Sequence, residues 1–216
     1  MMEQFSTYYP LMLHLRRRRC VVVGGGKIGW RRTKALLEAG ANVVVVSPDA
    51  VRPLMEAAEE GKLAWERRTY RVGDLAGAAL AFAATNDPAA NEAVASEAAS
   101  LGVWITVADD PERSDFIVPS VVRRGRLTIS LTTGGASPLL TRKIAGEISA
   151  AYGEEYAAYT EVLARLRRRI KNEIDDPALR HDKLELLLDM DLLSALGGGE
   201  SPDEAENRAW TALTSV

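Results

Sequence analysis

The chain reads as an α/β protein: a doubly wound parallel sheet followed by a small α+β region and a helical C-terminal module. Three observations predict this. From residue 19 to about residue 107, short β-branched runs alternate with longer amphipathic stretches, the pattern of βαβ units whose strands are buried on both faces. The first run, Val21, Val22 and Val23, breaks into glycines spaced G-x-G-x-x-G at Gly24, Gly26 and Gly29. The amphipathic stretches close on Gly40, Gly61 and Gly102, where a helix end calls for a left-handed residue.

Taken in order, strands are expected at residues 20–23, 42–47, 63–67, 80–84 and 104–107, and helices at 28–38, 51–60 and 88–101. The third helix has Asn86 or Asp87 as its N-cap and Pro88 in its first turn. Ligands of such a sheet bind outside the carboxyl ends of its strands. Four loops therefore line the expected crevice: 24–28, 47–49, 85–87 and 108–114. After Asp110 the pattern changes. Residues 116–118 and 127–132 look like two further strands, and Gly134-Gly135-Ala136-Ser137-Pro138 looks like a loop opening a helix that runs to about residue 151. Apolar positions at helical spacing then predict helices at 154–171 and 177–196. The expected division is a nucleotide-binding domain at 1–112, a dimerisation region at 113–151, a helical module at 152–196 and a flexible tail at 197–216.

The formal net charge of -3, with 26% charged and 47% hydrophobic residues, gives no basic excess of the kind that nucleic-acid binding requires. Cys20 is the single cysteine, which excludes an intrachain disulfide and a zinc site built on thiolates and favours a reducing, cytoplasmic home. At the N-terminus a short apolar patch precedes the arginines, the reverse of a signal peptide, and no apolar stretch approaches the ~20 residues that span a bilayer. Neither export nor membrane insertion is expected.

The glycine loop is the place for a dinucleotide pyrophosphate: Gly24 allows the tight turn, Gly26 lets the backbone approach the ligand, and Gly29 lets helix and strand pack closely. At the ribose-binding offset the chain has Ser47 in place of an acid, with Pro48 and Asp49 just beyond and Arg52 nearby, so NAD is favoured over NADP only modestly. Thr85 and Asn86 have two readings of equal weight, contacts to a nicotinamide ribose or a plain helix cap. Asp109 and Asp110 before Pro111 read first as a solvated turn, although a carboxylate there has the right place for a general base. Arg113, Arg123, Arg124, Arg126, Arg142 and Lys143 form a group that suits a polyanionic small molecule, the solvated face being the simpler reading for any one of them. His14 and His181 lack metal-ligand spacing, and no metal site is expected.

Several longer segments carry more: Tyr9-Pro10-Leu11-Met12-Leu13, VVGGGKIGWRR from Val22, LLEAGANVVVVSP from Leu36, AATND from Ala83, DFIVPS from Asp115 and TTGGASPLLTRKI from Thr132. Together they closely resemble the precorrin-2 dehydrogenase family, over about residues 9–171. The resemblance implies a Rossmann-type nucleotide domain and an NAD-dependent oxidation of precorrin-2 to sirohydrochlorin in sirohaem or cobalamin biosynthesis, by a homodimer joined through the middle region. It implies that Asp109, in the context Val107-Ala108-Asp109-Asp110-Pro111, is the catalytic acid-base residue, and that Lys27, Ile28, Pro48 and Asp49 contact the nucleotide. Thr133 stands where some relatives carry a serine before paired glycines, which with Gly134 and Arg123, Arg124 and Arg142 gives the expected substrate contacts. Gly29 replaces a common alanine, expected to be harmless. Two alternatives accompany this reading: a bifunctional dehydrogenase and sirohydrochlorin ferrochelatase, and a nucleotide-sensing regulatory module.

Overall fold

The computed structural model describes residues 8–215, so the expectations for residues 1–7, including part of the N-terminal reading, and for Val216 lie outside the described residues. The chain divides into two compact units, Met1–Val118 and Pro119–Val216.

The first unit runs β1 (Arg19–Gly25), α1 (Lys27–Glu38), β2 (Asn42–Ala50), α2 (Arg52–Glu59), β3 (Ala64–Glu66), β4 (Leu80–Ala83), α3 (Pro88–Leu101) and β5 (Trp104–Val107). All pairings in its sheet are parallel, in the order β3-β2-β1-β4-β5. The order reverses between β1 and β4, which places a topological switch point beside the glycine loop. Successive side chains of β1 explain why its whole run is apolar. Cys20 and Val22 enter a core with Leu36, Leu54 and Ala57, while Val21 and Val23 enter another with Leu75, Val94 and Ala98. Both faces of the strand are covered, so alternation gives way to a continuous run. Burial also pushes the Cys20 thiol up to about 11, which keeps it neutral. Gly40, Gly61 and Gly102 all take positive φ, 73°, 70° and 65°, as their place at helix ends requires.

The expected strand at 116–118 does not form. Phe116 turns back onto the first core, edge-to-face with Phe82 at 5.6 Å, and the stretch finds no ladder partner. β6 (Ser120–Arg124) takes that place, pairing antiparallel with β7 (Leu127–Leu131) through a two-residue turn in which Gly125 has φ 55°. A Gly-X pair between β-branched runs is a hairpin signal, hidden here among three arginines. The second unit continues with α4 (Pro138–Ala151), α5 (Glu155–Glu173), α6 (Pro177–Asp189), α7 (Leu192–Gly197) and α8 (Pro202–Thr214). The hairpin and the C-terminal helices belong to one unit, in place of the expected break at residue 151.

Two expectations for the C-terminus are corrected. A single helix over 177–196 is broken at Met190, whose backbone is extended. Leu187 and Leu192 are both buried, and five residues of unbroken helix would set them 140° apart, so the break returns Leu192 to the core. The tail is not flexible: α8 begins with a capping box between Ser201 and Glu204 and buries Ala205, Ala209 and Leu213, one face at four-residue spacing, against α5. The glycines and acids of GGGESPDEAEN belong to the turn and cap before that helix. Lys183 is buried too, its ammonium donating to the Leu213 carbonyl at the α8 C-terminus, where the helix dipole favours a cation.

Because Leu213 is 2% exposed, Leu213→Ala should cost about 3 kcal/mol in a urea unfolding experiment. A mobile tail would give no change.

Candidate functional site

The glycine loop is held by backbone, not by side chains. A Cβ on Gly24, whose φ is 117°, would lie 2.3 Å from the Ala84 carbonyl oxygen at the end of β4. One on Gly25 would lie 2.2 Å from the Asp49 carbonyl oxygen, and one on Gly29 only 1.9 Å from the Gly24 carbonyl oxygen. An alanine at position 29 would require the loop to shift, so glycine is the residue this close approach suits. Gly26 differs from all three. A Cβ there meets nothing within 4 Å, so its freedom serves the space in front of the loop and not the packing behind it.

Gly26 is also the N-cap residue of α1, with no side-chain cap and no acid in the first turn. The first amide donors of the helix, at the exposed residues Lys27 and Ile28, have no acceptor within the helix and lie at the positive end of its dipole, the arrangement that receives a phosphate, although neither residue is on the cavity lining. In front lies a cavity of about 690 Å³ lined by Gly24, Gly25 and Gly26, by Ser47, Pro48 and Asp49, by Thr69 and Tyr70, and by Ala84, Thr85, Asn86, Asp87, Ala90 and Ala93. Three of the four expected loops thus meet there. The residues present fit a dinucleotide: a bare backbone cradle for pyrophosphate, an exposed carboxylate beyond β2 and small side chains on α3.

Ser47 and Asp49 have different tasks. The expected turn at 47–49 is a bulge inside β2: Val23 pairs with Val46, but Gly25 pairs with Ala50. The buried Ser47 hydroxyl accepts from the Gly25 amide at 2.9 Å, and its carbonyl accepts from the Trp65 indole at 3.0 Å. Ser47 lines the cavity but spends its polar groups on the loop. Asp49, two residues on, is exposed, and its carboxylate makes no bond among the described residues. Arg52, which would welcome a 2′-phosphate, is paired with Glu56 at 2.7 Å.

On the opposite side the Thr85 hydroxyl donates within the start of α3, to Asn91 Oδ1 at 2.8 Å and the Asp87 carbonyl at 3.0 Å, while Asp87 caps the helix through Ala89. Thr85 thus orders the start of the helix that Asp87 caps, and it lines the cavity together with the exposed Asn86. Thr69, Tyr70, Ala90 and Ala93 carry no sequence signal, because the stretch between β3 and β4 has no periodicity and α3 is alanine-rich throughout. Gly25 was legible only as the middle of a glycine triplet.

The loop after β5 is outside that lining. Asp109 sits there with φ 61°, a left-handed position that aspartate tolerates, and its exposed carboxylate has no partner among the described residues. Its neighbour is occupied: Asp110 accepts from the Arg113 amide at 3.2 Å and lies 3.6 Å from the Arg113 guanidinium, which also pairs with Glu92 at 2.6 Å. The chain then folds back along β5, with Ser114 accepting from the Val107 amide and Asp115 accepting from the Ile105 amide. This covers the open edge of the sheet and leaves Asp109 presented at its end.

The other expected contacts lie in the second unit. The Arg124 guanidinium donates to the Ser149 hydroxyl at 2.8 Å and lies 3.3 Å from Glu154, while its buried Nε has no hydrogen-bond partner among the described residues. The Thr133 hydroxyl accepts from the Ser137 amide at 3.0 Å and meets the Thr141 hydroxyl at 3.1 Å, so it closes the glycine turn that opens α4. Gly134 and Gly135 in that turn take φ of 62° and 90°. Arg142 is exposed on α4 and forms no ion pair among the described residues.

Residues 11–120 match the family model described as putative NAD(P)-binding. Precorrin-2 dehydrogenase of Bacillus subtilis is 32% identical over 160 residues, 74% of this chain and 98% of that protein. The chain belongs to the precorrin-2 dehydrogenase family. A solved structure from that family, SirC, precorrin-2 dehydrogenase, superposes with a TM-score of 0.77 at 29% identity, covering 97% of this chain and all of that one. Siroheme synthase of Nitrosococcus oceani is 34% identical over 95% of this chain, and that of Chromobacterium violaceum 34% over 94%. The chain spans less than half the length of those two relatives, 44% and 42%. The match is to an NAD(P)-binding model, and no helix among the described residues is long and apolar enough to cross a membrane.

The two kinds of glycine separate in a paired test. Gly24→Ala should lower the melting temperature of the nucleotide-free protein by several degrees, whereas Gly26→Ala should leave it within a degree or so and weaken NAD binding about tenfold or more, read by calorimetric titration. Equal effects of both on folding would contradict the assignment.

Proposed function

We propose that this chain oxidises precorrin-2 to sirohydrochlorin with NAD, within the making of sirohaem or cobalamin. The observation that carries the reading is the uncapped α1 terminus behind Gly26, opening onto a cavity with Asp49 on its wall, in a chain of this family. Gly24 and Gly26 shape the cradle, the amides at Lys27 and Ile28 hold the pyrophosphate, and Pro48 and Asp49 take the adenosine ribose. Ser47 holds the loop that does so. A carboxylate at Asp49, with Arg52 already paired, favours NAD over a 2′-phosphorylated cofactor. On the nicotinamide side Asn86 is the contact and Thr85 orders the turn that presents it.

Bound NAD supplies the acceptor for a hydride. The protein then has to orient the macrocycle, exclude water and take up a proton as the carbon–hydrogen bonds are lost. Asp109 is the base: its unpaired carboxylate stands at the carboxyl end of β5, whereas that of Asp110 is already bonded. Arg123 and Arg142 serve the carboxylates of the substrate, and the glycine turn at Thr133 and Gly134 borders it.

A homodimer in the cytoplasm is part of the same proposal. Its support is α4, a helix of 14 residues with no buried side chain, together with Leu139, Leu140 and Val121 left exposed in the same unit. Leu139→Asp should then shift the sedimentation coefficient from dimer to monomer. An unchanged coefficient would move the interface elsewhere.

The activity is tested by anaerobic incubation with precorrin-2 and NAD, following the sirohydrochlorin spectrum. Asp109→Asn should retain NAD binding and lose on the order of a hundredfold in turnover, the range of general acid-base contributions, and Arg142→Gln should raise the apparent KM for precorrin-2. A parental chain that leaves precorrin-2 unconsumed would refute the reading. Parental turnover in Asp109→Asn would refute the base alone.

A further inference from the structure

The connector between β3 and β4 has no helix, unlike the connections that follow β1, β2 and β4, yet it is tightly tied. Arg68 forms a two-pronged pair with Asp74, both contacts at 2.8 Å, and Asp74 also accepts from the Arg71 amide at 2.9 Å. The Arg68 guanidinium holds the Asp74 carboxyl below its usual range, so the clasp is ionised at neutral pH. Arg19 donates to the Asp74 carbonyl from the start of β1. A second clasp comes from α3. Glu97 is 7% exposed and accepts from three donors of the connector: the Tyr70 hydroxyl, the Gly73 amide at 2.9 Å and the Leu75 amide at 3.3 Å. A buried carboxylate is costly unless its oxygens are hydrogen-bonded, and here three donors of one connector serve both of them.

What the two clasps present is Thr69 and Tyr70, which line the same cavity as Pro48, Asp49, Ala90 and Ala93. In the sheet order, β3 and β2 lie on one side of the glycine loop and β4 and β5 on the other. The pyrophosphate divides a dinucleotide at that loop, with the adenosine half toward β2. An aromatic ring, a proline and two alanines make a slot suited to a flat heteroaromatic ring.

We propose that Tyr70, with Ala90 and Ala93, forms the adenine pocket of this site, and that Glu97 is a positioning residue that holds Tyr70 there. This rests on the reading that the cavity holds NAD. Three features support it independently of the glycine motif: the placement of Tyr70 on the lining, the small residues that share that lining, and the convergence of three connector donors on one buried α3 carboxylate. Thr69 would sit at the mouth of the same slot.

The test is titration of NAD and of ADP, which lacks the nicotinamide half, against the full chain, with melting temperatures measured alongside. Tyr70→Ala should weaken both ligands in parallel, by about tenfold, the scale of losing one aromatic face under a base. Tyr70→Phe keeps the ring and frees it from Glu97, so it and Glu97→Gln should each give a smaller, equal loss for both ligands. Should Tyr70→Ala or Glu97→Gln fail to fold, Ala93→Leu serves in their place: it fills the slot from a half-buried helix position and should reduce both affinities with little change in melting temperature. Parental affinity for ADP in Tyr70→Ala or Ala93→Leu, or a loss confined to NAD, would overturn the adenine assignment while leaving the cofactor site intact. A parental chain that binds neither ligand would overturn the cavity's role altogether.

Discussion

Three strands of the nucleotide unit meet at a point where no side chain fits. At the end of β1, the Gly24 backbone lies against the Ala84 carbonyl of β4, Gly25 against the Asp49 carbonyl of β2, and Gly29 against the Gly24 carbonyl from the first turn of α1. The Ser47 hydroxyl, accepting from the Gly25 amide, completes the contact. A methyl group at any of the three glycines would push strand from strand or helix from strand. Everything that makes this end of the sheet a site follows from that closeness: Gly26 at the start of α1 lines the cavity, the β2 bulge carries Asp49 to its wall, and Thr85 lines it as well.

The bulge resolves what looks like a defect in the ribose position. A serine where an acid is expected weakens the motif if β2 ends at residue 47. With Ser47, Pro48 and Asp49 bulged inside a strand that continues to Ala50, the serine turns inward to the glycine loop and the acid is displaced by two residues without leaving the cavity. The same economy governs the loop after β5. Asp110, Ser114 and Asp115 are consumed in covering the sheet edge, and Asp109 is left with an unpaired carboxylate in a strained left-handed turn.

In the second unit, charge was a poor guide to role. The arginine group reads in sequence as one anion-binding surface, but Arg124 is pinned to Ser149 and Glu154, and Arg126 pairs with Glu161 at 2.7 Å, whose carboxyl it holds below the usual range. Only packing distinguishes an arginine that ties a hairpin to a helix from one that faces a ligand. Thr133 likewise keeps the hydroxyl that the family resemblance singles out, but turns it onto Ser137 and Thr141.

Periodicity and glycine placement were enough, read from the chain alone, for the five strands of the nucleotide sheet, the three helices between them and a glycine cradle for a dinucleotide; NAD itself came with the family resemblance. Those signals are local, because a buried parallel strand must be apolar throughout and a left-handed helix end must be glycine. Why glycine stands at 29 was not legible from sequence, since the clash it avoids is with a backbone atom five residues away. Tertiary structure alone decided the break at Met190, the ordered α8, the absence of a strand at 116–118, and the connector that brings Tyr70 to the cavity. Each depends on a partner distant in the chain: α5 for α8, Phe82 for Phe116, and Glu97 for Tyr70. Such partners leave no period in the sequence, because the energy that selects the conformation comes from groups that meet only after the chain has folded.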